Sequence, residues 1–425
     1  MRGDSMDKIR LAIVGCGGMG HRHMYGLAEL HRVGWTRFNL VGACDPVLAN
    51  AESLAAQAEE RFGQKPAVVG SLEELAEVGV DAVDVTTTPP YHHTVAIETL
   101  ERGWHTMVEK PMGLTVRACN LMRRAADASD AILSVAENYR RDPINRLAKA
   151  LLNAEVIGTP RFLIHQAIGG TNRMTISVWR HQKDQSGVLL DVGVHYADMI
   201  EYLLGEVDTV YAQTRLHEPI RYNAAAVTGE SGSNPAGVYT KWQRKMPAEF
   251  EATAEDAAYA TLTFKSGVVG QYIEDHGAWG QGGWLRKIHG SRGSMTLPGD
   301  RSGGIITLNI DGQEPINDER LLDLVPDFHL DAVTTDLFGG NRLWKYELPF
   351  TQIDPKIIAI EYGDFAEAIA GNSEVEVDAY QGTRSVALSY SMLESGATGQ
   401  IVQMDQMLDE SINTYQREID EGLGI

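Results

Sequence analysis

A glycine-rich segment, Gly15-Cys16-Gly17-Gly18-Met19-Gly20, constrains the fold of this chain more strongly than any other feature of the sequence. It directly follows a predicted strand, Arg10–Val14, and opens a predicted helix, which is the context that gives this glycine spacing its meaning. Glycines there let the backbone turn tightly and approach a pyrophosphate, whose charge lies at the helix N-terminus. We therefore predict a dinucleotide-binding turn, with a purely structural glycine turn as the alternative. The residues expected to contact the cofactor are Gly15, Gly17, Gly18, Met19 and Gly20.

Short β-branched runs alternate with longer amphipathic stretches from Lys8 to Ala136. Continuous apolar strands separated by helical periodicity are typical of a parallel sheet that is covered by helices on both faces. The pattern therefore predicts an α/β Rossmann domain, a doubly wound parallel sheet, over residues 1–141. Its predicted strands are Arg10–Val14, Asn39–Cys44, Ala67–Val69, Ala82–Val85, Thr106–Val108 and Ile132–Ala136.

The rhythm changes after about Pro143, where strands begin to follow one another without a helix between them. Consecutive strands of this kind favour an antiparallel sheet, so we predict an α+β domain over residues 142–425. Residues 215–249 are polar and rich in Gly, Asn and Pro, and we predict a long insertion loop that either covers a cleft or decorates the surface. The predicted elements are the helices Pro143–Ala154, Leu189–Leu204, Lys356–Ile369 and Gly382–Val402, and the strands Arg161–Ile168, Ala257–Phe264 and Val268–Ile273.

Acidic residues outnumber basic ones, since 58 Asp and Glu against 37 Lys and Arg give a formal net charge of −21. Such a surface repels phosphate backbones and anionic lipids, so we expect neither nucleic acid nor a membrane as a partner. No apolar run approaches the roughly 18–20 residues of a membrane span. The three cysteines, Cys16, Cys44 and Cys119, are scattered, which fits a reducing compartment and predicts a cytoplasmic protein.

Asp45 lies at the end of the second predicted strand, about where a carboxylate accepts both ribose hydroxyls of NAD and repels the 2′-phosphate of NADP. No Arg or Lys stands beside it in the sequence to bind a phosphate. The pattern favours NAD as the cofactor and leaves NADP open. The alternative is that Asp45-Pro46 forms only a turn and a helix N-cap.

Glu109-Lys110-Pro111 follows the fifth predicted strand, at the edge of an open α/β sheet where ligands bind. The ammonium group of Lys110 can hold a substrate hydroxyl near the nicotinamide and stabilise an oxyanion there. A surface lysine after a strand is the alternative interpretation. Further residues at the ends of neighbouring strands are expected to border the cofactor: Thr88, Pro89, His92 and Glu109.

Asp191 and His195 lie four positions apart in the predicted helix Leu189–Leu204, so both can reach one substrate. Removing a proton from a secondary alcohol requires a base whose pKa is near neutral pH, and imidazole meets that condition. Asp191 is expected to orient His195 or to bind a neighbouring hydroxyl. A helix-stabilising pair on a solvated face is the alternative.

Other histidines raise the question of a metal site, since His21, His23 and His31 lie close in sequence and His92-His93 follow a strand. His21 and His23 are two positions apart and point in different directions on a helix. No cysteine or carboxylate cluster completes a tetrahedral ligand set. We therefore predict that the protein has no metal centre.

Taken in chain order, these segments resemble the Gfo/Idh/MocA oxidoreductase family, the relatives of glucose-fructose oxidoreductase and inositol 2-dehydrogenase. The resemblance covers nearly the whole chain. Besides the glycine turn and Glu109-Lys110-Pro111, it rests on Thr88-Pro89-Pro90-Tyr91-His92, Trp179-Arg180, Asp191-Val192-Gly193-Val194-His195, Ile288-His289-Gly290-Ser291-Arg292-Gly293-Ser294, Asp364-Phe365-Ala366-Glu367-Ala368-Ile369 and Glu394-Ser395-Gly396.

The resemblance implies a Rossmann domain followed by a domain with a large open, mostly antiparallel sheet, which often mediates dimer or tetramer formation. We therefore expect a homo-oligomer whose substrate is a sugar, a cyclitol or a derivative. By the same analogy Lys110, Asp191 and His195 form the catalytic set, with the histidine as proton acceptor. The residues implied to line the substrate pocket are Tyr139, Arg140, Trp179 and Arg180. The relatively long chain and the 215–249 insertion depart from the family pattern where its members differ.

The predicted function is that of an NAD(P)-dependent dehydrogenase or reductase, which transfers hydride between nicotinamide and a secondary alcohol of a carbohydrate-like substrate. One alternative is an enzyme that cleaves glycosides by transient oxidation and elimination with tightly held NAD. Another is a non-catalytic nicotinamide-binding protein. The joint presence of Lys110, Asp191 and His195 argues against the latter, because a sensor has no need of a proton relay.

Overall fold

The computed structural model describes residues 8–229 and 234–425. The strands of the N-terminal sheet are β1 (Ile9–Val14), β2 (Phe38–Cys44), β3 (Ala67–Val69), β4 (Ala82–Val85), β5 (His105–Glu109) and β6 (Leu133–Ala136). In this part of the chain they form a six-stranded parallel sheet in the order β3-β2-β1-β4-β5-β6. The doubly wound Rossmann sheet is confirmed, and each predicted strand agrees with the structure to within one residue at either end.

Helices follow each of the first five strands and cover the sheet. They are α1 (Gly18–Arg32), α2 (Leu48–Phe62), α3 (Leu72–Val78), α4 (Pro89–Glu101) and α5 (Val116–Asp127). The strand order reverses between β1 and β4, which pair with each other although two strands separate them in sequence. A crevice opens outside the carboxyl ends of the strands at such a switch point, so the residues that follow β1 and β4 border it.

The rest of the chain is built around a second sheet. Its strands are β7 (Pro160–Gly170), β8 (Val207–Arg215), β11 (Ala257–Phe264), β12 (Val269–Ala278), β13 (Gly283–Gly290), β14 (Gly293–Leu297), β15 (Thr307–Ile310) and β16 (Val402–Gln403), and a separate pair consists of β9 (Ile220–Tyr222) and β10 (Glu249–Glu251). The described order is β15-β14-β13-β7-β12-β11-β8-β16, antiparallel at every step except β7 with β12. The open, mostly antiparallel sheet is therefore confirmed.

The helices of the second half are α6 (Pro143–Asn153), α7 (Val188–Asp191), α8 (Gly193–Leu204), α9 (Ala224–Val227), α10 (Thr240–Gln243), α11 (Ala332–Phe338), α12 (Phe350–Ile369), α13 (Ala379–Thr398), α14 (Met404–Leu408) and α15 (Arg417–Leu423), with 3-10 turns at Tyr139–Arg141, Val178–His181, Pro235–Gly237 and Glu319–Leu324. Among these helices, α13 and α14 pack against this sheet and α12 reaches the first domain. Helix α12 packs along α1, where Ile358 and Phe365 share an apolar core with Leu11 and Leu27. A helix from the far end of the chain thus completes the Rossmann layer, and the boundary at residues 141/142 stays a prediction.

The structure corrects two sequence predictions in part. Leu189–Leu204 is helical, but a single residue, Val192, separates α7 from α8, although its own φ and ψ stay in the helical region. Residues 215–249 are not simply a loop, since β9, α9, α10 and β10 lie within or across that stretch, although residues 230–233 fall outside the described ranges. These elements are three or four residues long, too short for periodicity to reveal them. Tertiary contacts hold them: the fully buried Arg221 pairs with Asp256 at 2.7 Å.

Candidate functional site

The glycine turn joins β1 to α1 at the switch point. Gly15 has a φ of +97°, and a Cβ placed on it would lie 2.6 Å from the backbone nitrogen of Thr87. A Cβ on Gly20 would overlap the carbonyl oxygen of Gly15, so β1 and α1 approach too closely for side chains. Gly17 differs, because a Cβ there would meet no atom of the described residues within 4 Å. That open space lies beside the N-terminus of α1, which has no side-chain cap, and it fits the diphosphate of a dinucleotide.

Asp45 is buried at the end of β2, and its carboxylate binds the glycine turn directly. Oδ2 accepts a hydrogen bond from the backbone nitrogen of Cys16 at 2.9 Å, and Oδ1 accepts one from that of Val47 at 2.8 Å. Asp45 is not the side-chain cap of α2, whose N-cap residue is Val47. The amide nitrogen of Asn50 also lies 3.5 and 3.4 Å from Oδ1 and Oδ2, so ribose hydroxyls would have to replace these long contacts, and the ribose-binding role of Asp45 remains a prediction.

Residues after β4 and β5 form the opposite wall of the crevice. Thr88 is the N-cap residue of α4 and Pro89 its first residue. The buried His92 ties the two loops together, with Nδ1 2.8 Å from the carbonyl oxygen of Pro111 and Nε2 3.1 Å from that of Thr87. The buried carboxylate of Glu109 accepts a hydrogen bond from the backbone nitrogen of Lys110. His92 and Glu109 therefore shape the loop that carries Lys110.

Lys110 meets Asp191 from the second domain. Its Nζ donates to the carbonyl oxygen of Asp191 at 2.7 Å and lies 3.1 Å from Oδ1. The other carboxylate oxygen accepts from Nε of Arg180 at 2.6 Å. Burial opposes ionisation of this carboxyl group, but Arg180 and Lys110 hold its pKa well below the usual range. Asp191 is thus a fixed anion that positions the lysine ammonium group.

His195 lies in the first turn of α8, and its orienting partner is Glu137, the residue that directly follows β6. Nδ1 is 2.6 Å from Oε1 of Glu137. Tyr139 stacks on the imidazole with the ring centroids 3.9 Å apart and an interplanar angle of 3°. Asp191 makes no hydrogen bond to this ring within residues 8–229 and 234–425, so the expectation that it orients His195 is wrong. The Asp191 carboxylate is instead bound by Lys110 and Arg180.

The surroundings keep the imidazole neutral. Burial lowers the pKa of His195 well below its ordinary value of 6.5, and the positive charges of Lys110 and Arg301 lower it further. A carboxylate can only accept a hydrogen bond, so Nδ1 of His195 is the nitrogen that carries the hydrogen. In this tautomer the lone pair is on Nε2. Nε2 has no hydrogen-bond partner among the residues that the structure describes. The site therefore presents a neutral base beside a fixed ammonium group.

The remaining predicted pocket residues have structural partners. Arg140 forms a bidentate ion pair with Asp198, with its nitrogens 2.8 and 2.5 Å from the two carboxylate oxygens. The guanidinium of Arg180 lies 4.1 Å from the ring centre of the half-buried Trp179. Contact of Arg140 with a substrate would require breaking a buried ion pair, whereas Trp179 and Tyr139 flank the Lys110–Asp191–His195 group. Their role in binding substrate stays a prediction.

Comparison with known proteins decides the family. Residues 9–137 match the NAD-binding Rossmann fold of the Gfo/Idh/MocA oxidoreductases, and residues 149–404 match the C-terminal alpha/beta domain of the same family. The chain belongs to the Gfo/Idh/MocA family. As a member of this family, it is an oxidoreductase, and its cofactor is NAD.

Individual relatives of this family member cover nearly its full length. It is 27% identical over 420 residues to the levoglucosan dehydrogenase of Pseudarthrobacter phenanthrenivorans. This alignment covers 95% of the present chain and 100% of that protein. It is 24% identical over 363 residues to the 1,5-anhydro-D-fructose reductase of Ensifer adhaerens, with 84% and 89% covered. A structure of levoglucosan dehydrogenase with NADH has a TM-score of 0.72 at 21% identity, over 94% and 99% of the chains. The similarity to this structure shows that the two proteins share one fold.

Two residues of the site escaped sequence reasoning. Glu137 follows β6 as Lys110 follows β5, so the rule that ligands bind at the carboxyl ends of strands was the available signal. Arg301 had no such signal, because it lies in a turn after β14 and only the fold brings it to Tyr139, with Nη2 3.2 Å from the phenol oxygen.

In the described ranges no helix is long and apolar enough to cross a membrane. No group of three or more His, Cys, Asp and Glu in these ranges is arranged to hold a metal ion.

Proposed function

We propose that this protein oxidises a secondary alcohol of a sugar, a cyclitol or a derivative, or catalyses the reverse reduction. The observation that carries the proposal is the state of His195: it is neutral, bound through Nδ1 to Glu137, and free at Nε2 beside Lys110. Dehydrogenation of an alcohol needs one group that removes the hydroxyl proton and another that stabilises the oxygen as its charge develops. These two residues match those two roles.

NAD, when bound, supplies the hydride acceptor. Nε2 of His195 takes the hydroxyl proton, and the imidazolium that forms is stabilised by the Glu137 carboxylate at 2.6 Å. The ammonium group of Lys110 donates a hydrogen bond to the carbinol oxygen. Asp191, held by Arg180, keeps that ammonium group in place, so the residues act by positioning and electrostatics.

The relatives support a sugar derivative as substrate, because one carries the name of a levoglucosan dehydrogenase and another that of a 1,5-anhydro-D-fructose reductase. A screen of anhydro sugars, free sugars, inositols and chromogenic glycosides with NAD⁺ and NADP⁺ tests the proposal. We expect a rise in nicotinamide absorbance with at least one polyhydroxy substrate, and with NAD⁺ in preference to NADP⁺. Release of a chromophore without accumulation of NADH would instead establish glycoside cleavage.

Removal of the base or of the ammonium group tests the residue assignment. We expect His195→Ala and Lys110→Ala to lower turnover by about 10²- to 10⁴-fold, because each loses a group that acts in proton transfer or charge stabilisation. Both variants should still bind NADH, as measured by quenching of its fluorescence. His329→Ala is the matched control, since that histidine is exposed in a loop and its Nδ1 hydrogen-bonds to the carbonyl oxygen of Asp327. Near-normal turnover of either site variant would refute the assignment.

We further propose a cytoplasmic homo-oligomer that associates through the open face of the second sheet. Exposed side chains of adjacent strands, Tyr211 of β8, Tyr259 of β11 and Val269 of β12, support an apolar contact there. The three buried free cysteines are compatible with a reducing compartment. Light scattering coupled to size exclusion tests the assembly, and Tyr211→Glu should shift a dimer or tetramer toward the monomer.

A further inference from the structure

Residues 234–247 cross from the second domain to the first and lie against the start of α1. Lys241 donates to the hydroxyl of Ser53 on α2, with 2.9 Å between Nζ and Oγ. The ring of Trp242 packs edge-on against His21, with the centroids 5.7 Å apart. These contacts bring an insertion of the second domain onto the glycine turn, and we name residues 234–247 the clasp.

Tyr239 of the clasp occupies the place that a side chain at position 18 would fill. A Cβ built on Gly18 would lie 2.5 Å from Cδ1 of Tyr239 and closer still to Cε1. Side chains in the first turn of a helix tilt toward its N-terminus, so this ring flanks the uncapped N–H groups of α1. The missing side chain at Gly18 therefore makes room for the tyrosine.

The position of the Tyr239 ring is fixed from three sides. The phenol oxygen is 3.0 Å from Sδ of Met19 and accepts a hydrogen bond from Nη1 of Arg22 at 3.4 Å. Arg22 is itself held by a bidentate pair with Asp354 of α12. The backbone nitrogen of Tyr239 donates to Oδ1 of Asn234 at 2.8 Å. The ring is 8% exposed, so it is part of the wall rather than a surface decoration.

Lys241 brings a positive charge to the same wall of an otherwise acidic protein. Its partner Ser53 also lies 3.3 Å from Nε2 of His21, and Nδ1 of His21 lies 2.8 Å from the carbonyl oxygen of Gly17. This chain of contacts places the ammonium group beside the first turn of α1. The ammonium group also contacts the Trp242 ring, with Nζ of Lys241 4.1 Å from the ring centre. An exposed ammonium next to an anion-binding helix end can pair with a diphosphate.

We propose that the clasp is the outer wall of the NAD site, in which Lys241 pairs with the cofactor diphosphate and Tyr239 closes the route along which the dinucleotide leaves. The N–H groups of α1 and the Lys241 ammonium then face the diphosphate from two sides. The inference concerns retention of NAD and depends on the cofactor, not on the identity of the substrate. It can therefore hold or fail independently of the proposed sugar oxidation.

Binding and release of NADH in the full-length protein test the clasp without any substrate. We expect Tyr239→Ala to speed NADH dissociation about tenfold in stopped-flow fluorescence, and Lys241→Ala to raise the Kd about fivefold. The Lys241 variant should also show a shallower dependence of the Kd on salt concentration. Lys65→Ala is the matched control, because this exposed lysine precedes β3, at the edge of the sheet opposite the carboxyl ends of the strands; its Kd should stay within about twofold of wild type.

A double-mutant cycle separates the ring from the helix end. Gly18→Ala adds the Cβ that overlaps Tyr239, so alone it should displace the clasp and speed NADH release. In the Tyr239→Ala background the same change should have little further effect. Equal effects of Gly18→Ala in both backgrounds would overturn the proposal, as would slower NADH release or tighter binding in Tyr239→Ala. Thermal melts of each variant without NADH show whether a change in binding reflects loss of fold.

Discussion

Charge placement around His195 explains why this histidine suits proton transfer. The residue is buried between Tyr139, Glu137 and the positive groups Lys110 and Arg301. Burial and the cations disfavour the imidazolium in the resting enzyme, whereas Glu137 stabilises it once it forms. A base that is neutral at rest and has an anion ready for its charged form meets both requirements of the reaction.

Glu137 provides the first test at this scale. Burial raises the pKa of Glu137 above its ordinary value, the Tyr139 nitrogen and nearby cations offset only part of that rise, and the carboxyl group accepts hydrogen bonds from His195 and the Tyr139 nitrogen. We expect Glu137→Ala to lower kcat about 10²-fold with little change in the affinity for NADH. Glu137→Gln keeps an acceptor oxygen without the charge, so it should recover part of kcat. A kcat in the alanine variant equal to wild type over the whole pH range would contradict the role.

Arg301 provides a test by pH. Because burial and the positive charges lower the pKa of His195 below 6.5, the fall of kcat/KM at acid pH should begin below pH 6.5. Removing one charge with Arg301→Gln makes protonation easier and raises the pKa of His195. The acid limb should then move to higher pH, and activity at pH 6 should fall relative to pH 8. Arg301→Lys keeps the charge and should leave the limb near its wild-type position.

The site was partly predictable from sequence. Strand ends and helix spacing marked Lys110, Asp191 and His195 as candidates, and the structure brings these three residues together. The orienting role given to Asp191 belongs to Glu137, which is 58 residues from His195. Spacing within one helix contains no information about a partner on another element, and the same limit concealed Arg301. Predicting such pairs requires the packing of α8 against the loop after β6.

Among the elements, the parallel strands were predictable because most are short, largely apolar runs with buried residues at consecutive positions. The break between α7 and α8 was not, because it consists of a single residue, Val192, whose φ of −93° and ψ of −41° stay in the helical region. The clasp was not either. Its helix α10 has four residues, and its position depends on the Arg22–Asp354 pair and on Gln243, which donates to the carbonyl oxygen of Ile176 at 2.9 Å.

The junction of β1 and α1 supplies a matched pair of glycine substitutions. Gly15→Ala should destabilise the fold by about 2 kcal/mol or more, because φ is +97° and the new Cβ would lie 2.6 Å from Thr87. Gly17→Ala should leave the melting temperature near wild type, since φ is −75° and no atom of the described residues lies within 4 Å of the new Cβ, but it should weaken NADH binding by filling the diphosphate space. Thermal melts and NADH titrations separate the two effects. Unchanged NADH affinity in Gly17→Ala would place the diphosphate elsewhere.

At the scale of the whole molecule, α12 joins the two halves of the chain. It packs along α1 and carries Asp354, which pairs with Arg22 next to the clasp. It also carries the fully buried Glu361. Both carboxylate oxygens of Glu361 are buried without a hydrogen-bond partner in the described structure. His23 and Arg141 lie near this carboxyl group, and so do the acidic Glu109 and Glu137. The interface between the halves thus contains a carboxyl group that is more stable when protonated.

This arrangement predicts how stability depends on pH. Burial raises the pKa of Glu361 to about 8 from its ordinary 4.5, so between these values the folded protein keeps a proton that the unfolded chain releases. The stability contributed by that proton is complete below about pH 4.5 and is lost as pH rises through about 8. The Glu361→Gln variant has no such proton to lose, so its melting temperature should fall less than that of wild type from pH 5 to pH 9. The slope of melting temperature against pH is the informative quantity, since a buried amide also changes stability by a pH-independent amount.

His23, whose pKa Asp84 raises to about 9 against the effect of burial, adds a loss of stability of the same sign in both proteins. Parallel curves for the two proteins would show that Glu361 is already ionised in the folded state.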